Sequence, residues 1–353
     1  MNINGADVLS SLLARRDLKP TEATALMQSI IAGQIPPATL AAIAVALRMK
    51  GETVDELTAF ASVMRAAAVP VTVPPETLDT CGTGGDGSST FNISTATALV
   101  VAGMGIPVAK HGGRSASSKT GSADVLHELG VNTDADAACI SRCVSSAGIG
   151  FMFAQNHHPG MKHVAPVRRE LGVRTVFNLL GPLSNPANSP YQLLGVFDPT
   201  LCETFAEVLR NLGSVSAMVV CGACYDGGGH LRQAQGGYLD EFSTFGPTTV
   251  ARLLRGAVTI STVDPEKFGI PRAAQAALYV SNPHESASMI RSVLDGQRGA
   301  PRDIVVLNAA AAALVAGKAD EWREGILLAQ KSIDEGRARG ALDNLVRISR
   351  GAQ

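Results

Sequence analysis

The sequence predicts a small N-terminal helical domain, residues 1–70, followed by a larger α/β domain, residues 76–353, with a mostly parallel central sheet. Two observations carry this expectation. Up to about residue 70 the apolar positions keep a helical period, whereas from residue 77 onward short apolar runs alternate with Gly-rich turns and helical stretches. Strands separated by helices imply parallel pairing, because the chain must cross back before it can pair in the same direction.

In the first region, Leu40, Ile43, Ala44 and Leu47 follow the Pro36-Pro37 pair at helical spacing, a suitable helix start. Thr53 and Glu56 have the form of a capping box, and Leu57, Phe60 and Met64 then make an apolar stripe. No cluster of reactive groups occurs here, so the region reads as scaffold or subunit contact. Val69-Pro70-Val71-Thr72-Val73-Pro74-Pro75 reads as a linker. Beyond it, Ile106–Ala109, Ile149–Phe153, Gln192–Phe197 and Ala217–Val220 are the expected strands, and residues 302–349 return to helix.

The composition narrows the function classes. With 46 % hydrophobic and 17 % charged residues the chain is globular rather than disordered. Thirty Lys and Arg against 31 acids leave a net charge of −1, so nothing electrostatic favours nucleic acid or an anionic membrane as partner. No run reaches the ~18 apolar residues of a membrane helix. The first residues lack the basic and apolar regions of a secretory signal. Six scattered cysteines do not form a secreted disulfide framework, and the expected compartment is the cytoplasm.

Four segments carry chemistry. The first runs from Asp79-Thr80-Cys81-Gly82-Thr83-Gly84-Gly85-Asp86-Gly87 to Phe91-Asn92-Ile93-Ser94-Thr95 and an apolar helix. Its glycines let backbone N–H groups approach a ligand, and Asn92, Ser94 and Thr95 fall at a helix start, where free N–H groups favour an anion such as pyrophosphate. A capped Gly-rich turn of any α/β protein has the same look, and the spacing matches neither the P-loop nor the dinucleotide fingerprint. The second segment, Lys110-His111-Gly112-Gly113-Arg114 through Ser122, directly follows an expected strand. It combines cations, hydroxyls and small residues suited to gripping phosphate oxygens, where a charged surface loop is the plainer alternative.

The third segment holds His157-His158-Pro159 and His163, then Arg168-Arg169-Glu170 and Arg174 through Pro186. The histidines lack zinc-ligand spacing and a nearby carboxylate, so metal is not expected at them. Arg168 could pair with a substrate carboxylate in a bidentate fork, or be an ordinary surface charge. The fourth is Asp240-Glu241, either a solvated turn or, beside a pyrophosphate, Mg²⁺ ligands. Cys221-x-x-Cys224 is half of a zinc spacing without a second pair, and Cys139 and Cys143 stand one helical turn apart. All of these read as buried thiols.

Together and in this order, the four segments resemble the anthranilate phosphoribosyltransferases, and the resemblance extends over nearly the whole chain. Its carriers are the Gly-Thr-Gly-Gly-Asp-Gly turn with Asn-Ile-Ser-Thr, the Lys-His-Gly loop, Phe177-Asn178-Leu179-Leu180-Gly181-Pro182-Leu183 and the Asp-Glu pair. Asn308-Ala309-Ala310-Ala311, after a Leu-Asp-Gly turn, adds to them. The resemblance implies a nucleoside phosphorylase/phosphoribosyltransferase-like fold, with part of the 165–190 region packing on the helical domain and the active site between the domains. It further implies a homodimer formed through the helical domain, Mg²⁺ as cofactor, and a place in tryptophan biosynthesis. Phosphoribosyl pyrophosphate would be held by Gly82, Gly85, Asp86, Thr90, Asn92, Ile93, Ser94, Thr95, Lys110, Arg114, Ser117, Ser118 and Ser122. Anthranilate would meet Gly82, His111, Gly113, His157 and Arg168, and the metal would meet Ser94, Asp240 and Glu241. An aromatic amine brings its own lone pair, so no strong base is required; His111 is the one candidate to take the surplus proton.

Two features depart from the family pattern. The loop normally reads Lys-His-Gly-Asn-Arg, with the Asn contacting the acceptor, whereas this chain has Gly113. The stretch from Gly222 to Asp240 is also longer than usual and adds His230, Arg232 and Gln233. Both bear on acceptor choice, so the same chemistry on a different aromatic amine is the alternative reading. A pyrimidine nucleoside phosphorylase resembles the chain less, and the near-neutral charge opposes a nucleic-acid-binding relative.

Overall fold

The computed structural model describes residues 3–114, 120–225, 230–231 and 237–351. Four helices open the chain: α1 (Gly5–Leu13), α2 (Pro20–Ile31), α3 (Pro37–Lys50) and α4 (Val54–Ala66). The Thr53 hydroxyl accepts the Glu56 N–H at 3.2 Å, while the Glu56 carboxylate accepts the Thr53 N–H at 2.9 Å, completing the capping box. Glu56 is fully buried and also takes the Leu18 N–H and the Lys50 ammonium. One carboxylate therefore fastens the start of α4, the end of α3 and the connection before α2. Residues 69–75 form no regular element, but they are not loose. The Val69 N–H reaches the His157 carbonyl at 2.8 Å, and Val71 is buried.

The remaining elements alternate through β1 (Leu78–Gly82), α5 (Ile93–Gly103), β2 (Val108–Gly112), α6 (Ser122–Glu128), α7 (Ala137–Ala147), β3 (Ile149–Phe153), α8 (Ala154–His157), α9 (Ala165–Leu171) and α10 (Val176–Leu180). There follow β4 (Tyr191–Gly195), α11 (Leu201–Asn211), β5 (Ser216–Ala223), β6 (Tyr238–Leu239), β7 (Thr248–Leu254) and β8 (Ala257–Val263). Helices α12 (Pro283–Leu294), α13 (Ala300–Val315), α14 (Trp322–Asp334) and α15 (Arg337–Ser349) close the chain.

The sheet runs β3-β2-β1-β4-β5-β7-β8, with β6 also on β5. Strands β1 to β5 are mutually parallel, and β6, β7 and β8 are antiparallel additions. Every residue of β3 and β5 is buried, as a parallel strand covered on both faces requires. One face packs on α5 and α13, and the other on α11. That second face shares a single apolar core with the helical bundle and with residues 164–183, because α9 packs on α3 and α10 on α3 and α4.

Two local expectations shift. The Asp79–Gly82 stretch is strand β1 rather than part of a turn, and Lys110 and His111 lie inside β2 rather than in the loop after it. Both strands contain polar residues whose burial is compensated by hydrogen-bond partners, so no unbroken apolar run marks them.

Candidate active site

The polypeptide reverses its direction of winding at β1, with β2 on one side and β4 on the other. In an open α/β sheet, ligands gather at the carboxyl ends of strands at such a switch point. Here β1, β2 and β4 end on Gly82, Gly112 and Gly195. A Cβ on either Gly82 or Gly195 would collide with Asp240, and one on Gly112 would collide with the Ser122 hydroxyl. The missing side chains clear a hollow into which Asp240 and Ser122 descend.

Three carboxylates meet there. Asp240 Oδ2 accepts the Gly84 N–H at 2.7 Å, and the Asp240 N–H points at Asp86 Oδ2, 3.5 Å away. Glu241 accepts the N–H of Ser94 at the start of α5. Burial, with Asp86 and Glu241 beside it, raises the Asp240 carboxyl well above its ordinary range. Burial pushes Glu241 up to about 8, against the pull of Lys110. Lys110 is itself buried, its ammonium donating to the Thr80 carbonyl and, at 3.3 Å, to the Ser94 hydroxyl. Desolvation lowers it, opposed by Asp79, Cys81 and Glu241.

This donor set is short of positive charge and made of hard oxygens, which fits a small divalent cation. No three His, Cys, Asp or Glu side chains form a ready-made cage among the described residues. Mg²⁺ keeps water and shares substrate phosphate oxygens rather than demanding a full protein shell.

The helix start has partners of its own. The Ile93 N–H is bonded to the Phe91 carbonyl, those of Thr95 and Ala96 to Asn92, and that of Ser94 to Glu241. The protein's own Glu241 carboxylate therefore stands at the first turn of α5. Asn92 also has internal partners: its side-chain oxygen accepts from Thr120 at 2.9 Å and Ser286 at 2.8 Å, tying α5 to the end of the cation-bearing loop and to α12. Thr90 pairs with Tyr279 as an isolated bridge, and its hydroxyl meets that of Ser88 at 3.1 Å. Arg114 is largely exposed, 3.8 Å from Asp124. Ser117, Ser118, Arg232 and Gln233 lie outside the described residues, and His230 is exposed.

The neighbouring end of β2 faces histidines. The rings of His111 and His158 stand edge to face with centroids 5.1 Å apart. A backbone carbonyl faces each ring, Gly181 for His111 and Ser184 for His158, and each Nε2 is buried with no partner among the described residues. If Nδ1 donates to that carbonyl, each neutral ring presents its Nε2 lone pair. Burial and neighbouring histidines pull His111 well below its ordinary value and His158 to about 4, keeping both neutral. His157 is turned to other work: its Nδ1 lies 2.9 Å from the Val69 carbonyl. Successive residues on a helical turn point in different directions, which is why His158 and not His157 packs against His111. Arg168, on α9, is half-buried with no acidic partner among the described residues, and burial lowers it. At Gly113 the backbone is ordinary and a Cβ would touch only Ala154, at 3.8 Å.

Residues 74–339 match the glycosyl transferase family model of the α/β domain, and residues 6–68 match that of the helical bundle domain. The chain is 51 % identical to the anthranilate phosphoribosyltransferase of Parvibaculum lavamentivorans over 344 residues, 98 % of this chain and 97 % of that one. Its structure is similar to that of the anthranilate phosphoribosyltransferase of Thermus thermophilus, with a TM-score of 0.87, 39 % identity, and coverage of 98 % and 100 % of the two chains. It is also similar to the Saccharomyces cerevisiae enzyme in complex with phosphoribosyl pyrophosphate and Mg, with a TM-score of 0.86, 26 % identity and 98 % coverage of each chain. The chain belongs to the anthranilate phosphoribosyltransferase family. Its helical bundle and mixed, mostly parallel α/β layer are the architecture of that family.

Within this family member, two groups act on the site without having been assigned a task from the sequence. Asp79 is buried on β1, where it accepts the His111 N–H at 3.2 Å and the Asn185 amide at 2.8 Å. Asn185 in turn donates to the Ala109 carbonyl at 2.9 Å. The pair sets the height of β2 against β1 and thereby the positions of Lys110 and His111. Both residues stand inside the motifs quoted above, but the sequence alone does not show that they face each other.

Proposed function

We propose that this chain transfers the 5-phosphoribosyl group of phosphoribosyl pyrophosphate to the amino nitrogen of anthranilate, releasing pyrophosphate, as a step of tryptophan biosynthesis. The observation that carries the reading is the Asp240-Glu241 pair held over glycine-ended strands, beside Lys110 and the start of α5. It occurs in a chain similar along its whole length to enzymes of that name. On the donor side, Gly82, Gly85, Asp86, Thr90, Asn92 to Thr95, Lys110, Arg114 and Ser122 line the path proposed for phosphoribosyl pyrophosphate. Ser94, Asp240 and Glu241 are the proposed ligands of Mg²⁺. On the acceptor side, Gly82, His111, Gly113 and Arg168 are proposed for anthranilate, with His158 taking the place next to His111 and His157 holding the linker.

The chemistry follows from these charges. The bond between the anomeric carbon and pyrophosphate breaks, its electron pair leaves with pyrophosphate, and the ribose passes through an oxocarbenium-like centre. Bound Mg²⁺ supplies positive charge to the departing group. Lys110 adds a fixed cation, already aimed by Thr80 and Ser94 so that little reorganisation accompanies the step. Arg168 would fix the anthranilate carboxylate in a bidentate fork and so place the amine. The amine then attacks with its own lone pair, and the Nε2 atoms of His111 and His158 are the unpartnered acceptors for its N–H groups or surplus proton. Holding two substrates in line can lower a barrier by about 7–11 kcal/mol.

A homodimer through the helical bundle is proposed with this reading; Leu13 and Met49, both 70 % exposed, lie on that bundle. The cytoplasm is the proposed compartment, which suits six unbridged, buried cysteines. Among the described residues, no helix is long and apolar enough to cross a membrane. The deciding test is the loss of anthranilate fluorescence on mixing the protein with anthranilate, phosphoribosyl pyrophosphate and Mg²⁺. A matched release of pyrophosphate is expected; fluorescence that stays constant at high enzyme concentration would overturn the assignment.

A further inference from the structure

Arg174 has no part in the donor or acceptor sets above, yet its head group lies on the pyrophosphate turn. It sits in the short connection between α9 and α10, and its guanidinium carbon is 4.3 Å from the centroid of the Phe197 ring. The same guanidinium lies against Gly85: a Cβ there would stand 2.9 Å from Arg174 Nε and 3.1 Å from Cζ and Nη2. Gly84 and Gly85 have φ of +69° and +76°, so the turn is both backward-bent and stripped of side chains where Arg174 approaches. No carboxylate pairs with Arg174 among the described residues. Its backbone carbonyl accepts from Arg48 on α3, so a residue of the helical bundle sets where this cation stands over a turn that belongs to the sheet.

We propose that Arg174 grips the pyrophosphate end of phosphoribosyl pyrophosphate at the Gly84-Gly85 turn, as a second phosphate-binding cation besides Lys110. The inference rests on the proposed function and adds a residue to its donor site. A guanidinium laid flat on an aromatic ring keeps its plane fixed while its in-plane N–H groups remain free at the edge. That edge matches two oxygens of one phosphate in a fork, a geometry an ammonium cannot provide. Lys110, buried under the turn and already bonded to Thr80 and Ser94, meets the ligand from within the sheet, whereas Arg174 reaches it from the segment packed on the helical bundle. The two cations would therefore close on the diphosphate from opposite structural layers.

The test uses inorganic pyrophosphate with Mg²⁺ as probe, titrated calorimetrically into the full-length protein, because it requires no turnover. Arg174→Gln keeps a planar polar head and removes the charge. It should weaken pyrophosphate by about tenfold or more, the effect of a lost hydrogen bond to a charged group. It should raise the KM for phosphoribosyl pyrophosphate in parallel and leave the KM for anthranilate and the melting temperature near their starting values. Arg174→Lys, which retains charge without the fork, should show a smaller loss in the same direction, and it decides the matter should the Gln variant not fold. Pyrophosphate affinity equal to that of the unaltered protein in a folded variant overturns the role of Arg174 alone. An unaltered protein that binds no pyrophosphate with Mg²⁺ overturns the reading of the turn itself, and the proposal with it.

Discussion

The two halves of the site are built on opposite principles. Around the proposed pyrophosphate turn the carboxylates and Lys110 have partners within the protein, although the Thr83 and Thr95 hydroxyls do not: Asp240 takes the Gly84 N–H, Glu241 faces the Ser94 N–H, and Lys110 donates to Thr80 and Ser94. Around the end of β2 polar groups are left open, with two buried imidazole nitrogens and a half-buried guanidinium lacking partners among the described residues. The proposed donor half gathers the carboxylates of Asp86, Asp240 and Glu241. On the proposed reading, pyrophosphate would enter together with a cation that draws the carboxylates away. The proposed acceptor half holds neutral imidazoles and one guanidinium, so its ligand would complete hydrogen bonds instead of displacing them. A buried polar group without a partner costs about 1–3 kcal/mol, an amount that a fitting ligand recovers.

The largest effect should come from breaking the charge balance of the donor half. Chelating divalent ions should abolish turnover and restoring Mg²⁺ should recover it, since metal charge stabilisation is worth several kcal/mol in such transfers. Glu241→Gln should reduce turnover on the order of a hundredfold or more for the same reason, while relieving the crowding of carboxylates. Its second signature is in stability without metal. The folded Glu241 titrates at about 8 against an ordinary 4.5. Its contribution to stability is thus complete below 4.5 and lost as pH rises through 8. The metal-free protein should therefore melt at lower temperature as pH climbs through that window, and the Gln variant should lose less. Parallel melting curves for the two proteins would mean that Glu241 does not carry the strain.

A smaller and more selective effect belongs to the acceptor half. Arg168→Ala should raise the KM for anthranilate about ten- to a hundredfold, the range for one charge-assisted hydrogen bond, and leave that for phosphoribosyl pyrophosphate nearly unchanged. If both constants moved together, Arg168 would be serving the packing of α9 on α3, and the contrast between the halves would fail on that side.

What the sequence could reveal of this arrangement follows the range of the signals. The Thr53–Glu56 box lies within one helical turn and is visible as a spacing. The pairing of Gly82 with Gly195, which makes room for Asp240, joins residues more than a hundred positions apart and has no local mark. Strand β1 was hidden for a related reason, because Asp79 and Thr80 are buried by virtue of Asn185, Lys110 and Ser94, not by their own apolarity. The β7–β8 hairpin, in contrast, carries a local signal in its turn. Arg255-Gly256 is a two-residue turn with both φ values positive, 51° and 78°, between apolar strands. The histidines show the finest limit. Three of them cluster in the sequence, but only the direction each takes from α8 decides that His158 meets His111.

The smallest effect, and the sharpest probe of acceptor choice, is expected at Gly113. The family pattern places an Asn there, which would offer one acceptor and two donors to anthranilate. In this chain those groups are absent, yet the position is not closed to them. Its backbone is not in the left-handed region, and an added Cβ would make only an ordinary 3.8 Å contact with Ala154. Gly113 lies one residue beyond β2 and two after His111, and its carbonyl already anchors the Ala123 N–H and the Ser122 hydroxyl. A side chain there can be added without disturbing that anchor. Gly113→Asn should therefore fold normally and tighten anthranilate by up to about tenfold, the value of one neutral hydrogen bond at roughly 0.5–1.5 kcal/mol. It should also narrow the range of ring-substituted aminobenzoates accepted, because the vacated space is what admits them. Assays of both proteins against anthranilate and a panel of ring-substituted analogues measure the two effects together. Tighter anthranilate binding with an unchanged panel would show that space at Gly113 does not set acceptor range. No change in either would show that residue 113 does not face the acceptor at all, and the open half of the site would then end at His111 and Arg168.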